Sequence, residues 1–253
     1  MATQGMSPKN ILVLGATSAI AQGFARLHAG RRDRLMLVGR DQVRLQQIAD
    51  DLRARGAESV ETMALDLSDP GDYAQAFGAM LERLGGFDMI LVAYGILGDQ
   101  TRAEHEPAHL QDVFQANLTS AAQWLSLGAA HFADRGRGTL IAISSVAGDR
   151  GRKKNYAYGA AKGGLSIFLA GLRHRLAGTD VSVLTVKPGF VDTPMTAHME
   201  KAGPLWASPE RVARDIDKAV RAKKEVVYTP WFWRWIMVII RLLPSAIFNR
   251  LDI

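Results

Sequence analysis

The chain has 253 residues, 48% of them apolar, enough for one substantial core in a single domain. It contains no cysteine, which excludes disulfides, cysteine-ligated zinc and thiol catalysis and fits a cytoplasmic location. The net charge of +6 comes in small scattered groups without interleaved aromatic residues, a pattern that argues against nucleic acid as a partner.

The N-terminal MATQGMSPKN is polar and too short for a secretion signal before the first apolar run. That run, Asn10–Leu14, ends at Gly15 and is followed by a stretch of helical period, the strand, glycine turn and helix that open a dinucleotide-binding unit. Arg34–Val38 predicts a second strand ending at Gly39-Arg40, and Asp41 and Gly56 bracket the next helix as cap and stop. Val60–Leu65 leads to Asp66, and Asp69-Pro70 reads as a helix start. Phe87–Val92 is a fourth strand, and a long helix is expected over Asp112–Phe132. Thr139–Ile143 is a fifth strand, Tyr156–Leu176 a helix, Val181–Val186 a sixth strand, and Ser208-Pro209 opens a helix to about Ala222. Glu225–Tyr228 is a short seventh strand. Strands alternating with helices imply parallel pairing, so the fold class is α/β, a doubly wound, Rossmann-like parallel sheet in one domain. Ligands of such sheets bind beyond the strand carboxyl ends, where Gly15, Arg40, Asp66, Gly95, Ser145 and Gly189 all fall.

One stretch, Ser144 to Lys162, concentrates the chemistry. Tyr158 and Lys162 lie about one turn apart, so a helix stacks phenol and ammonium on one face. A cation there favours the phenolate and is expected to lower the phenol pKa, giving a proton donor for work near neutral pH. Ser145, leaving a buried strand, can hydrogen-bond a substrate carbonyl.

On these residues the chain resembles the short-chain dehydrogenase/reductase family up to about Tyr228. The matches are Ser145, Tyr158 and Lys162, Asn117 in QANLTS, Asp66-Leu67 after strand three, and Pro188-Gly189-x-Val191-x-Thr193 after strand six. The resemblance implies NAD(P)-dependent ketone reduction or alcohol oxidation. Tyr158 would be the general acid or base, Lys162 would hold the nicotinamide ribose, Ser145 would polarise the carbonyl, and Asn117 would keep a water relay. It also implies a cofactor site lined by Gly15, Thr17, Ser18, Ala19 and Ile20, then by Arg40, Asp66, Leu67, Ala93 and Gly95. Tyr158, Lys162, Pro188, Gly189, Val191 and Thr193 complete it. A homodimer or homotetramer through the long helices around Asn117 and Tyr158 is expected from the same likeness.

Two motifs depart from the family pattern. Ala19 and Ala21 stand where the glycine turn usually has glycine, and a Cβ at the middle position costs room if the backbone needs positive φ. Val92-Ala93-Tyr94-Gly95 replaces Asn-Asn-Ala-Gly, which leaves Tyr94 near the adenosine side. Cofactor choice turns on the residue after strand two: an acid would bind a ribose hydroxyl and an arginine a 2′-phosphate, so Arg40 predicts NADPH over NADH.

His105-Glu106-Pro107-Ala108-His109 spells a zinc-protease pattern, but Pro107 breaks the helix that pattern needs, and no metal is expected. Arg150, Arg152, Lys153 and Lys154 border the substrate side and suggest an anionic substrate. Loops 95–106 and 193–208 should line its pocket. Beyond residue 229 an apolar, aromatic tail begins, with a helix expected from Pro230 to Pro244. At about 21 Å it is too short to span a bilayer, whereas its tryptophans, with Arg234 and Arg241, suit a membrane surface, a substrate lid or a subunit interface. Together, loop and tail resemble the family's reductases of polyprenyl-phosphate keto-sugars. The alternatives are a reductase of a free hydrophobic ketone, of steroid or acyl type, and a non-catalytic nucleotide-binding regulator.

Overall fold

In the computed structural model, which describes residues 7–197, 199, 200 and 203–252, all seven expected strands form and two short ones are added. They are β1 (Asn10–Leu14), β2 (Arg34–Gly39), β3 (Ser59–Ala64), β4 (Met89–Val92), β5 (Arg137–Ile143) and β6 (Asp180–Pro188), followed by β7 (Phe190–Val191), β8 (Trp206–Ala207) and β9 (Val226–Thr229). Seven of them form one sheet in the order β3-β2-β1-β4-β5-β6-β9, with every pairing parallel. The order reverses between β1 and β4, which opens a crevice at their carboxyl ends. β7 and β8 pair separately at the base of the 193–208 loop.

The helices are α1 (Ala19–Ala29), α2 (Gln42–Ala54), α3 (Tyr73–Leu84), α4 (Gln100–His105) and α5 (Pro107–Phe114), then α6 (Ser120–Arg135), α7 (Tyr156–Arg175), α8 (Pro209–Arg221), α9 (Trp233–Leu242) and α10 (Ser245–Phe248). Because both sheet faces are covered, the central strands are apolar throughout rather than alternating. Phe24 of α1, Leu45 of α2 and Ile216 of α8 pack on one face, and Phe77 of α3, Trp124 of α6 and Leu169 of α7 on the other.

Three local expectations are corrected and one, the break at Pro107, is met. α3 begins at Tyr73, capped by Asp72, whose carboxylate accepts from the N–H groups of Ala74 and Gln75; Asp69-Pro70 lies in the preceding turn. The long helix starts at Pro107 and carries a π-helical turn over Gln115–Thr119 between α5 and α6. Pro107 does open a new helix, which leaves His105 at the end of α4, while His109 accepts from the Asp99 N–H. The tail helix is shorter than expected, Trp233–Leu242, and Pro244 starts α10.

Candidate active site

A single cleft of about 1030 Å³ runs across the carboxyl ends of the central strands, lined by both expected loops. Its floor is the segment leaving β5. Ser144 turns inward: its hydroxyl donates to the Lys162 carbonyl at 2.9 Å and meets the Ser166 hydroxyl at 2.8 Å, fastening β5 to α7. Ser145 faces the cleft and caps a 3₁₀ turn, Val146–Asp149, accepting from the Ala147 N–H at 3.1 Å.

That turn packs on α7 with backbone against backbone. A Cβ on Gly148 would lie 2.6 Å from the Gly163 nitrogen, and one on Gly163 would lie 2.9 Å from the Gly148 carbonyl oxygen. The contact sets the spacing of Ser145 from Tyr158 and Lys162, and a larger residue at either glycine must push the two apart. A second anchor holds the turn from behind. Asp149 accepts from Lys187 at 2.5 Å and from the Tyr228 hydroxyl at 2.8 Å, joining it to β6 and β9.

Tyr158 is half-buried in the cleft wall. Burial pushes its phenol up to about 12, and the Ser145 hydroxyl, which can donate to a phenolate, pulls the other way. The direction is opposite to the expectation from sequence, because removal from water dominates, and the ammonium stands 5.8 Å from the ring centroid. Lys162 is only 4% exposed and donates to the Ile143 carbonyl at 2.9 Å. Burial pushes it down to about 8. Near pH 7, therefore, the protein without cofactor holds a neutral phenol beside an ammonium ion.

Asn117 sits in the π-helical turn, fully buried. Its amide donates to the Ile96 and Val113 carbonyls, both at 2.8 Å, while its Oδ1 is buried without a partner. A Cβ built on Gly95 would clash with that Oδ1 and lie 3.4 Å from Lys162 Nζ, so the two groups converge behind Gly95. The wider turn leaves the Val113 carbonyl to the Asn117 side chain, consistent with the placing of π-bulges at functional sites.

The other end of the cleft is built to take an anion. Gly15 has φ of +87° and approaches Tyr94 so closely that a Cβ would fall 2.7 Å from the Tyr94 nitrogen. Thr17, Ser18, Ala19 and Ile20 follow along the wall. Ser18 is the N-cap of α1 but makes no side-chain capping bond, and the first turn holds no acidic residue, so its free N–H groups face the cleft. Ala19 is the first residue of α1 and has negative φ, so its Cβ causes no strain; Ala21 packs fully buried. Tyr94 lines the cleft beside Gly15, while its hydroxyl bonds Ser120 of α6 at 2.8 Å and burial raises its pKa, so the ring also braces this wall.

Asp66 and Leu67 line the cleft next to Arg40, and the Leu67 carbonyl is fixed by the Trp124 indole N–H at 2.9 Å. Arg40 is exposed, with its guanidinium 3.9 Å from Asp66. Arg44 lines the same corner and was missed in the sequence; its signal is its place one turn past Asp41, which spends its carboxylate capping the Arg44 N–H. Ala93, Gly95, Pro188, Gly189, Val191 and Thr193 complete the wall. The residues present therefore fit a dinucleotide: an open helix N-terminus for its pyrophosphate, two arginines at one end, and an orphan Asn117 oxygen at the other.

This arrangement has relatives. The family model for short chain dehydrogenase matches residues 9–203. The chain belongs to the short-chain dehydrogenase/reductase family. An uncharacterized oxidoreductase of Mycobacterium tuberculosis is 38% identical over 242 residues, covering 95% of this chain and 96% of its own. The ketoacyl reductase HetN of a Nostoc species is 28% identical over 222 residues, covering 86% of this chain and 77% of its own. A crystal structure of a variant actinorhodin polyketide ketoreductase with NADPH superposes with a TM-score of 0.80 at 25% identity, over 92% of this chain and 99% of that one. As a member of this family the chain is an NAD(P)-dependent oxidoreductase.

The basic loop behaves differently from its sequence reading. Arg150 turns away from the pocket to the end of α9, donating to the Leu243 carbonyl at 2.7 Å and stacking on Phe248 at 3.7 Å. Lys153 and Lys154 pair with Asp252 at 2.7 and 3.0 Å. Arg150 is thus committed to the tail, whereas the two lysines hold exposed ion pairs with it and Lys154 still lines the cleft.

Proposed function

We propose that this short-chain oxidoreductase is an NADPH-dependent reductase of a ketone. The observation that carries the reading is the meeting of the Ser145 hydroxyl, the Tyr158 phenol and the Lys162 ammonium in the cleft whose other end fits a dinucleotide, with burial favouring the protonated phenol that carbonyl reduction needs. NADPH, when bound, supplies the hydride. Ser145 donates a hydrogen bond to the carbonyl oxygen and fixes its direction. Tyr158 gives that oxygen its proton. Lys162 stabilises the phenolate left behind and, with the Asn117 Oδ1 nearby, offers a buried polar path for its reprotonation. Incubation with NADPH and a panel of aliphatic, cyclic and β-keto ketones tests the reading: it expects loss of NADPH matched one to one by secondary alcohol. Absence of turnover across the panel, with NADPH bound, would favour the regulatory alternative.

Preference for NADPH is read from Arg40 and Arg44 at the corner where a 2′-phosphate would lie, and from the lack of a free acid at the end of β2. Arg40→Asp is expected to weaken NADPH binding about 10- to 100-fold, the value of a charge-assisted contact, and to change NADH binding far less. Equal losses for both cofactors would show that Arg40 acts on something other than the phosphate.

A second reading concerns the tail. No helix among the described residues is long and apolar enough to cross a membrane. One face of α9 is spent inside: Trp233 and Met237 are buried, and the Trp233 indole lies on Gly189 and donates to the Leu205 carbonyl at 3.3 Å. The opposite face exposes Trp235, Ile239 and Leu242, at 59, 63 and 77%, and Trp231 in the turn before the helix is 65% exposed. Arg234, Arg241 and Arg250 are exposed around it, and no acidic residue occurs between Glu225 and Asp252. This stripe suits an anionic lipid surface. Sedimentation with phosphatidylglycerol vesicles, absent with phosphatidylcholine alone and lost in Trp235→Ala with Ile239→Ser, is the expected result. Protein that stays in the supernatant throughout, and whose mass by light scattering drops in that double variant, would assign the stripe to a second copy of the chain.

A further inference from the structure

Arg150 is committed to the tail, and Lys153 and Lys154 pair with Asp252, Lys154 while also lining the cleft. Arg152 stands apart in the loop between Ser145 and Tyr158. Among the described residues no carboxylate lies within ion-pair distance of its guanidinium. The hydrogen bond it makes is a weak one, from a terminal nitrogen to Met237 Sδ at 3.6 Å, and its Nε is buried with no partner. Its burial lowers its pKa, against the pull of the Asp149 charge. Asp149 is no counter-ion in reserve, because Lys187 and the Tyr228 hydroxyl already hold its two oxygens.

A second polar group nearby is equally unspent. Asn155 occupies the N-cap position of α7 yet makes no side-chain capping bond, and its Oδ1 is buried without a partner. Asparagine at this position ordinarily bonds the first-turn N–H groups. Arg152 and Asn155 both line the cleft with Tyr158, and the walls beside them, Ile96, Leu97, Phe190, Met195 and Met199, are apolar. Leaving a half-buried guanidinium unpaired is costly, and a bound anion would remove that cost.

We propose that Arg152 is the anion-recognising residue of the substrate pocket: the ketone carries a carboxylate or phosphate that pairs with its guanidinium, Asn155 hydrogen-bonds beside it, and an apolar remainder lies along the wall. The proposal rests on the reductase reading for the word ketone, and on the geometry alone for the anion. Within the basic loop it assigns the anion to Arg152, which lacks a carboxylate partner among the described residues, ahead of Lys154, which lines the cleft paired with Asp252.

The test uses full-length protein saturated with NADPH, so that Arg40, Arg44 and the α1 N-terminus are already occupied. Two pairs of probes are titrated calorimetrically: 4-oxopentanoate against its methyl ester, and dihydroxyacetone phosphate against dihydroxyacetone. The charged member of at least one pair is expected to bind about tenfold or more tighter, and Arg152→Gln to erase that difference. Arg152→Lys should restore part of it. Retained NADPH affinity and melting temperature check the fold, and Arg152→Met, which keeps the packing on Met237, replaces the glutamine variant should that one fail to fold. The pair with the larger difference identifies carboxylate or phosphate. Charged probes that bind no better than neutral ones, that do not bind, or that bind the Gln variant as well as the natural protein overturn the proposal. NADPH consumption in the same mixtures separates the two readings. Arg152-dependent binding without turnover of any ketone removes the reductase reading and keeps the anion site, whereas turnover of neutral and charged ketones alike does the reverse.

Discussion

Tyr158→Phe is expected to lower kcat/KM for ketone reduction by about three orders of magnitude while leaving the NADPH dissociation constant within about twofold. The substitution removes one oxygen from a half-buried ring and nothing from the packing around it. Ser145 still points a hydroxyl at the carbonyl, and Lys162 still donates to the Ile143 carbonyl. What is lost is the proton. With its pKa pushed up to about 12, the phenol is almost wholly protonated at neutral pH and can act as donor in every turnover. Steady-state kinetics with a ketone from the panel, paired with a fluorescence titration of NADPH, checks both halves. A variant that keeps a tenth or more of the activity would mean that the proton comes from elsewhere, with water in the cleft the first candidate.

Lys162→Met should cost comparable activity and, in the protein without cofactor, increase stability at pH 7. Lys162 is nearly fully buried, with one hydrogen bond from its ammonium, and burial pushes its pKa from 10.5 down to about 8. Between those values the unfolded chain binds the proton that the folded chain releases, so stability rises with pH across that window and the penalty is greatest below about 8. The depression corresponds to about 3 kcal/mol at most. Tyr158 does not confuse the measurement: its raised pKa contributes stability that is fully present below about 10 and is lost as pH rises through about 12. Urea denaturation at pH 7, 8, 9 and 10 should therefore show the methionine variant more stable at pH 7, with the gap narrowing towards pH 10. A gap that is constant with pH would mean the lysine is not held against its charge. Stability given up at this position is the expected signature of a residue retained for chemistry.

Much of this site was legible in the sequence because its parts are short-range. Ser145, Tyr158 and Lys162 are placed by one strand end and one helix face, and both follow from apolar period and turn residues. Gly15 was legible from the strand before it and the helix after it. What escaped depends on contacts between distant segments. Nothing near Asn117 announces a π-helical turn, because the expansion is fixed by bonds to Ile96 and Val113 rather than by local propensity. The direction of the Tyr158 shift depends on how much water the cleft excludes, which no spacing encodes. The basic loop was misjudged as a group for the same reason: Arg150 finds its partners about ninety positions away at the end of α9, and Lys153 and Lys154 find theirs at Asp252. Ala19 does not strain the glycine turn, which ends one residue earlier, at the Ser18 cap.

The most direct test of the account is a fluorescence titration of the purified protein with NADPH and, separately, with NADH. The open N-terminus of α1, the Arg40 and Arg44 corner, and the groups gathered behind Gly95 predict saturable binding of NADPH, at least about tenfold tighter than NADH. Failure of both nucleotides to bind would contradict the account at its base, because Ser145, Tyr158 and Lys162 would then have no hydride to work with.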